Sequence, residues 1–211
     1  MNILLACQKS GYLRELLWRA GHNVWTCDLE PAEDVTRFHL QRDAIQAAYH
    51  PAPFIAGRWD CMIAMPECRN LCSSGQHHNG KPGQRTQQDV EDAVTFATAL
   101  KDAPIKHKCI ENSIGILSTR WRKPDQIIQP HWFGDDASKG TCLWMDDFPL
   151  LVPSNPVAPR AVVYEGKVCY RWANQTDSGQ NRLRPSPTRS ADRARTYPGI
   201  AAAFAVAISK I

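Results

Sequence analysis

Two residues at the ends of predicted strands could carry covalent chemistry. Cys68 lies in the polar segment 65–75, directly after an apolar run, and such a cysteine can act as a nucleophile when a nearby cation or helix N-terminus favours its thiolate. Glu111 ends the apolar run 108–110, where partial desolvation would let its carboxyl hold a proton near neutral pH and donate it. Together they offer a nucleophile and a general acid.

Two other predicted strand ends suit a bound nucleotide. The first is the turn Ala6-Cys7-Gln8-Lys9-Ser10-Gly11, in which Gly11 allows close backbone approach and the following helix offers amide donors. The second is Asp28, at the tip of the second strand, where nucleotide-binding folds bond ribose hydroxyls. An ordinary turn or helix cap accounts for Asp28 equally well.

Alternating strand and helix patterns predict the fold that positions these residues. Apolar runs at 1–7, 22–27, 59–65 and 108–110 indicate strands, and apolar residues recur at helical spacing over 12–20 and 87–101. This alternation predicts an α/β fold, with a mostly parallel sheet and helices on both faces. Because ligands bind outside the carboxyl ends of such strands, the four motifs should meet at one edge.

The remaining residues are predicted to decorate one domain, residues 1–211. Residues 113–195 are expected to form an irregular insertion with a strand at 141–145, a hairpin over 161–172 and a basic arm over 174–195. Residues 196–211 then return to the core as an Ala-rich helix. A chain of 211 residues can bury one good core and is short for two domains.

Positive charge is concentrated in the C-terminal third of the chain, which includes the arm. The chain carries a net charge of +4, yet residues 156–197 contain eight Lys or Arg residues and three acidic ones. This distribution indicates a polyanionic partner, although so small a net charge is also common in proteins that never touch nucleic acid. Five arginines in this region could contact DNA phosphates or could simply form a solvated loop, and contact with phosphates is favoured. They are Arg182, Arg184, Arg189, Arg193 and Arg195.

Membrane, metal and disulfide roles receive little support from the sequence. No apolar run is long enough to span a bilayer and no basic signal region opens the chain, so we expect a soluble, cytoplasmic protein. Most of the eight cysteines lie in apolar runs, as free thiols do. Cys68, Cys72 and the pair His77-His78 lack the spacing of a zinc site, so no metal is expected. The oligomeric state stays open.

The order of the motifs resembles that of DNA cytosine-5 methyltransferases. Ser10-Gly11, Cys27-Asp28-Leu29, Pro66-x-Cys68 and Glu111-Asn112 arrive in the sequence and spacing of that family's motifs. The chain is most similar to short phage-encoded proteins of this type, and the resemblance covers nearly its whole length. Four further segments are typical of those proteins: 122–130, 139–144, 174–181 and 196–201.

The resemblance implies a Rossmann-like domain that binds S-adenosyl-L-methionine. It places Ser10 and Gly11 against the methionine part of this cofactor, Asp28 or Glu30 at the ribose, and Asp43 at the adenine. Ala6 and Gln8 are expected to bind the cofactor as well. It also implies that Cys68 adds to C6 of cytosine, that Glu111 acts at N3, and that Asn112 and Pro66 shape the site. The implied substrate is DNA with a flipped-out cytosine, in the cytoplasm of a bacterium or phage-infected host.

One departure keeps other functions open. Glu67 stands where the family has proline, which removes a fixed φ and puts a carboxylate beside the thiol, where it disfavours the thiolate. An alternative is therefore that the protein is a non-catalytic module that binds DNA or a host protein. Modification of free cytidine nucleotides is another, because the chain has no room for a large target-recognition domain.

Overall fold

The computed structural model describes residues 1–55, 57–73, 80, 85–184, 186, 192–193 and 195–211. The strands are β1 (Asn2–Ala6), β2 (Asn23–Asp28), β3 (His39–Gln41), β4 (Cys61–Ala64), β5 (His107–Ser113), β6 (Gln126–Ile128), β7 (Thr141–Asp146), β8 (Arg160–Tyr164) and β9 (Lys167–Arg171). The α-helices are α1 (Tyr12–Arg19), α2 (Ala44–Tyr49), α3 (Gln87–Lys101), α4 (Leu117–Arg120) and α5 (Pro198–Ile208), and a 3₁₀ helix spans Pro130–Trp132.

Seven strands form one twisted sheet in the order β3-β2-β1-β4-β5-β7-β6. The pairs from β3 to β5 are parallel, whereas β7 runs antiparallel to both β5 and β6. The central strands β1 and β4 are almost continuously apolar because both of their faces are covered.

A helical layer covers each face of this sheet. On one face, α2 and α3 pack Ala47, Ala97 and Leu100 against the buried rings of Trp59 and Trp144. On the other face, α1 contributes Leu13 and Leu17, and α5 contributes Ile200 and Phe204. The α/β Rossmann-like fold, with a mostly parallel sheet between two helical layers, is confirmed.

Local signals explain where the predicted helices begin and end. Thr86 caps α3 by accepting from the backbone N–H of Asp89, whose carboxylate accepts from the backbone N–H of Thr86 in return. Pro198 occupies the first turn of α5, where its missing N–H costs no hydrogen bond. None of the described helices is both long enough and apolar enough to cross a membrane.

Residues 113–195 hold more regular structure than expected. Besides the predicted strand β7 and the predicted hairpin β8–β9, this segment contains α4 and β6. Both β6 and β7 belong to the seven-stranded sheet, while β8 and β9 form a separate two-stranded sheet. The part of this segment that forms structure outside the main sheet therefore begins after β7.

The strand register brings the four motifs to one edge of the sheet. Ala6 at the end of β1 is level with Cys27 in β2 and with Ala64 in β4, and Ala64 is level with Ile110 in β5. The residues that follow these positions therefore emerge side by side at the carboxyl edge.

Candidate active site

The turn after β1 is tied to both neighbouring strands. Its backbone reverses at Cys7, whose φ of 57° lies in the left-handed region. The N–H of Gln8 then donates to the carbonyl oxygen of Cys27, 2.9 Å away. The side chain of Gln8 accepts from the N–H of Ser10 at 3.0 Å and donates to Sδ of Met65 at 3.2 Å. Gln8 thus links the turn after β1 to the loop after β4.

Gly11 is needed for close approach by a side chain of this protein. A Cβ at Gly11 would lie 2.6 Å from Oδ2 of Asp34 and 2.8 Å from a guanidinium nitrogen of Arg14. Asp34 and the buried Arg14 form an ion pair at this point. The expected close approach therefore exists, but it comes from the segment that follows β2.

Asp28 and Asp43 both lie close to the thiol of Cys7. Burial raises the pKa of Cys7 far above its usual range, and the nearby charges of Asp28 and Asp43 act in the same direction. Burial also raises the pKa of Cys27 to about 12, although Arg42 opposes the shift. Both thiols stay neutral at ordinary pH, so the local charge comes from Asp28, Asp43 and Arg42.

Each of these carboxylates also caps a backbone N–H. Oδ1 of Asp28 accepts from Glu30 at 3.0 Å, and Oδ1 of Asp43 accepts from Gln46 at 2.8 Å, at the start of α2. Among the described residues, no hydrogen bond is made to either Oδ2. The cap interpretation of Asp28 is therefore correct, and it leaves one oxygen of each residue for a ligand.

Glu30 is engaged elsewhere. Its carboxylate pairs with Lys9, and 66% of the Glu30 side chain remains exposed. The hydrogen bond to Glu30 raises the pKa of Lys9. Of the two residues expected at a ribose, Asp28 is the one that lies beside Cys7 and Asp43.

The loop after β4 is fastened to the end of β5. The side-chain amide of Asn112 donates to the carbonyl oxygen of Pro66 at 2.8 Å, with both residues buried. The backbone N–H of Ile116 donates to the carbonyl oxygen of Leu71 at 2.9 Å. A Cβ on Gly115 would lie 2.0 Å from that same Leu71 oxygen, so glycine is required for the contact.

Cys68 lies within this fastened loop. The carbonyl oxygen of Cys68 accepts from the N–H groups of Leu71 and Cys72, at 3.0 and 2.8 Å. Cys68 is half-buried, whereas Glu67 before it is exposed and Pro66 is buried. Cys68 is therefore partly accessible in the loop after β4, next to the exposed Glu67.

Glu111 combines desolvation with one opposing charge. Burial raises the pKa of Glu111, and the positive charge of Lys139 partly lowers it. Lys139 is held by its ammonium group, which donates to the carbonyl oxygen of Arg193 at 2.8 Å. Such a carboxyl can carry a proton at higher pH than a solvated glutamate.

A cleft of about 630 Å³ opens beside the turn after β1. Its lining includes Gln8, Ser10 and Glu33 from the first third of the chain and Arg182 and Arg195 from the arm. A second cavity, of about 540 Å³, lies near the start of β5 and away from these motifs. The described residues contain no cluster of three His, Cys, Asp or Glu side chains that could hold a metal ion.

The predicted DNA-binding arginines are divided by the structure. Arg182 and Arg195 line the cleft, whereas Arg184 and Arg193 are exposed without lining it. Arg189 lies outside the described residues, as do His77 and His78.

Four residues of the site escaped the sequence reasoning. The sequence indicates Cys7 only as one of the cysteines in apolar runs, although its place at the tip of β1 is a usable signal. Met65, Glu33 and Lys139 reach the site through contacts between segments distant in sequence, and nothing in their local sequence marks them.

No protein-family model and no curated protein matches this sequence. Among solved structures, the chain is similar to one assigned as a DNA modification methyltransferase encoded within a prophage of E. coli, with 12% sequence identity and a TM-score of 0.48. The match covers 74% of this chain and 52% of the other, so this chain spans about half the length of that protein.

Proposed function

We propose that residues 1–211 form one methyltransferase domain that transfers a methyl group from S-adenosyl-L-methionine to C5 of cytosine in DNA, with Cys68 and Glu111 as catalytic residues. The observation that carries the proposal is the fastening of the Cys68 loop to the end of β5 through Asn112 and Pro66. This contact ties the loop that carries Cys68 to the neighbouring strand β5, which carries Glu111. A separate observation that supports cofactor binding is the cleft beside the turn after β1.

The residues at the carboxyl edge fit S-adenosyl-L-methionine. Asp28 and Asp43 each keep an oxygen for ligand hydroxyl or amine donors, and they would hold the ribose and the adenine. The cleft beside Ser10 has a volume within the range of about 300–1,000 Å³ that small-molecule sites occupy. Ala6, Gln8, Ser10 and Gly11 would border the methionine part. When bound, the cofactor supplies an electrophilic methyl group.

The chain's own residues would activate the substrate. The Cys68 thiolate forms a bond from Sγ to C6 of cytosine, and the ring electrons shift toward N3, where protonated Glu111 donates its proton. C5 thereby becomes nucleophilic and would take up the methyl group, which leaves S-adenosylhomocysteine as the second product. Water would then take the proton from C5, the electrons of the C5–H bond would form the C5–C6 double bond, and the Cys68 thiolate would be expelled, while N3 returns its proton to Glu111. Asn112 and Pro66 position this chemistry without taking part in it.

DNA would reach the site by extruding a base. A cytosine within a duplex cannot lie between Cys68 and Glu111, so a duplex substrate must have its target base flipped out. The arm supplies cations for the flanking phosphates, among them exposed Arg184 and Arg193, and Arg189 beyond the described residues.

Methyl transfer to DNA tests this proposal directly. The protein should move label from methyl-labelled S-adenosyl-L-methionine to DNA, and Cys68→Ser should reduce the rate by about 10³-fold or more. Cys72→Ser is the matched control, because Cys72 lies in the same turn and has no role in the proposed reaction. Label transfer that persists in Cys68→Ser would exclude the cysteine mechanism.

Trapping the adduct gives a second readout. DNA with 5-fluorocytosine cannot lose a proton from C5, so the bond between Cys68 and C6 should persist after methyl transfer and be found by peptide mapping. Comparing duplex DNA, single-stranded DNA and cytidine nucleotides as acceptors separates the DNA enzyme from one that modifies free nucleotides.

The exposed Glu67 beside Cys68 favours one alternative: a binding module that keeps the fold without turnover. Such a protein should bind DNA with affinity that falls steeply as salt rises, yet transfer no label. Under this alternative, Glu67→Pro would be the variant that restores transfer.

A further inference from the structure

Three acidic residues follow β2 in close succession, and they have different surroundings. Glu30 pairs with Lys9, and Asp34 pairs with Arg14. Glu33 lines the cleft and forms no ion pair among the described residues. Its backbone N–H donates to the carbonyl oxygen of Lys9 at 3.0 Å. Its backbone is therefore fixed against the turn after β1. Its carboxylate is exposed and acts on Lys9 only through its charge, which helps to raise the pKa of Lys9.

Two arginines of the arm are held at the same cleft. Arg182 donates from Nε to the carbonyl oxygen of Gln175 at 2.8 Å, which leaves its two terminal nitrogens without a described partner. Arg195 precedes Thr196, whose hydroxyl contacts Sδ of Met65 at 3.5 Å and so fixes this part of the arm to the site. Within the described part of the chain, neither arginine is paired with a carboxylate.

Among the described residues, the cleft therefore presents the carboxylate of Glu33 and the guanidinium groups of Arg182 and Arg195, with no ion pair between them. Asp192 lines it as well, but that residue has an interaction of its own. Separated charges of both signs suit a ligand that is itself a zwitterion, because each charged end then meets an opposite charge.

We infer that Glu33 and the pair Arg182 and Arg195 recognise the amino-acid end of the cofactor, with the arginines at the α-carboxylate and Glu33 at the α-ammonium group. The inference rests on the proposed function. It reassigns two of the five arm arginines from DNA phosphates to the cofactor, and it makes them positioning residues for the methyl group. The arm would then complete the cofactor site as well as contact DNA.

Equilibrium binding of two ligands tests this inference without any turnover. S-adenosylhomocysteine carries the α-amino and α-carboxyl groups, whereas 5′-methylthioadenosine lacks both and keeps the nucleoside. The wild-type protein should bind S-adenosylhomocysteine more tightly than 5′-methylthioadenosine. Arg195→Ala, Arg182→Ala and Glu33→Gln should each weaken the first ligand by about tenfold and leave the second unchanged. Arg58→Ala, at an exposed arginine outside the cleft and without a role in the proposed reaction, should change neither.

The outcomes separate this inference from the proposed function. Equal binding of both ligands by the wild-type protein would overturn the inference and leave the nucleoside site intact. Discrimination that survives in all three variants would overturn it too, and so would variants that lose only DNA affinity. Failure of the wild-type protein to bind either ligand would instead contradict the cofactor proposed above.

Discussion

The side-chain amide of Asn112 donates to the carbonyl oxygen of Pro66 across 2.8 Å, and both residues are buried. This bond joins the end of β5 to the loop that holds Cys68. A buried backbone carbonyl that loses its donor is costly, because water cannot replace it. The position of the loop that holds Cys68 therefore depends on Asn112, a residue of the strand that also carries Glu111.

Asn112→Ala should destabilise the protein and impair catalysis. Loss of the buried bond is expected to lower the free energy of unfolding by about 1–3 kcal/mol and to release the Cys68 loop. Urea unfolding measures the first effect, and single-turnover methyl transfer measures the second. Asn23→Ala, at an exposed position on the opposite edge, should cost less. Unchanged turnover in a destabilised Asn112→Ala would remove the positioning role.

Glu111 should make stability depend on pH. Because burial raises its pKa in the folded protein, the folded state binds more protons than the unfolded state between the usual glutamate pKa and the raised one. The stability contributed by protonated Glu111 is thus present at low pH and is lost as pH rises through that window. Glu111→Gln should reduce this loss.

Urea unfolding of both proteins, at about pH 5 and about pH 8, measures the difference. The advantage of Glu111→Gln over wild type should be greater at the higher pH. An advantage that does not change with pH would show that Glu111 titrates at its usual value. The same variant should lose methyl transfer at both pH values, since an amide cannot transfer a proton to N3 as a carboxylic acid can.

Lys139 should set the upper pH limit of the reaction. Its positive charge lowers the pKa of Glu111 against the effect of burial. Lys139→Gln removes that charge, so Glu111 should keep its proton to higher pH and the alkaline limb of the rate profile should move upward. Lys139→Arg keeps the charge and should leave the limb in place. Coincident profiles for Lys139→Gln and wild type would mean that Glu111 does not control this limb.

The predictable part of the fold is the part with a long periodic signal. Helix α3 has 15 residues and a capping box, and it begins and ends where the sequence indicates. Strands β3 and β6 have only three residues each, which is too short for alternation to be recognised. Helix α2 was missed as well, although Asp43 is an ordinary N-cap signal at its start.

The predictable part of the site is the arrangement of strand ends. Parallel strands emerge at one edge, so the order of motifs was enough to bring Asp28, Cys68 and Glu111 to that edge. The hydrogen bond of Gln8 with Met65 and the effect of the Lys139 charge on Glu111 join segments far apart in sequence. Those contacts depend on how the loops pack, for which neither periodicity nor spacing gives a signal.

Gly115→Ala should displace the Cys68 loop more than any comparable glycine replacement at the site. The added Cβ would lie 2.0 Å from the oxygen of Leu71 and 2.8 Å from Cα of Cys72, and both atoms belong to the backbone. Because backbone cannot move aside as a side-chain tip can, the loop itself must shift. We expect an overpacking cost of about 1–3 kcal/mol and a loss of methyl transfer.

Thermal unfolding and methyl transfer, measured together, check this prediction. Gly11→Ala is the matched control, because its added Cβ would meet only side-chain atoms, those of Asp34 and Arg14. That variant should lower cofactor affinity but leave trapping of 5-fluorocytosine at Cys68 intact once cofactor is saturating. Gly115→Ala should fail to trap the base at any cofactor concentration. Normal trapping in Gly115→Ala would show that catalysis does not require the contact between the two loops.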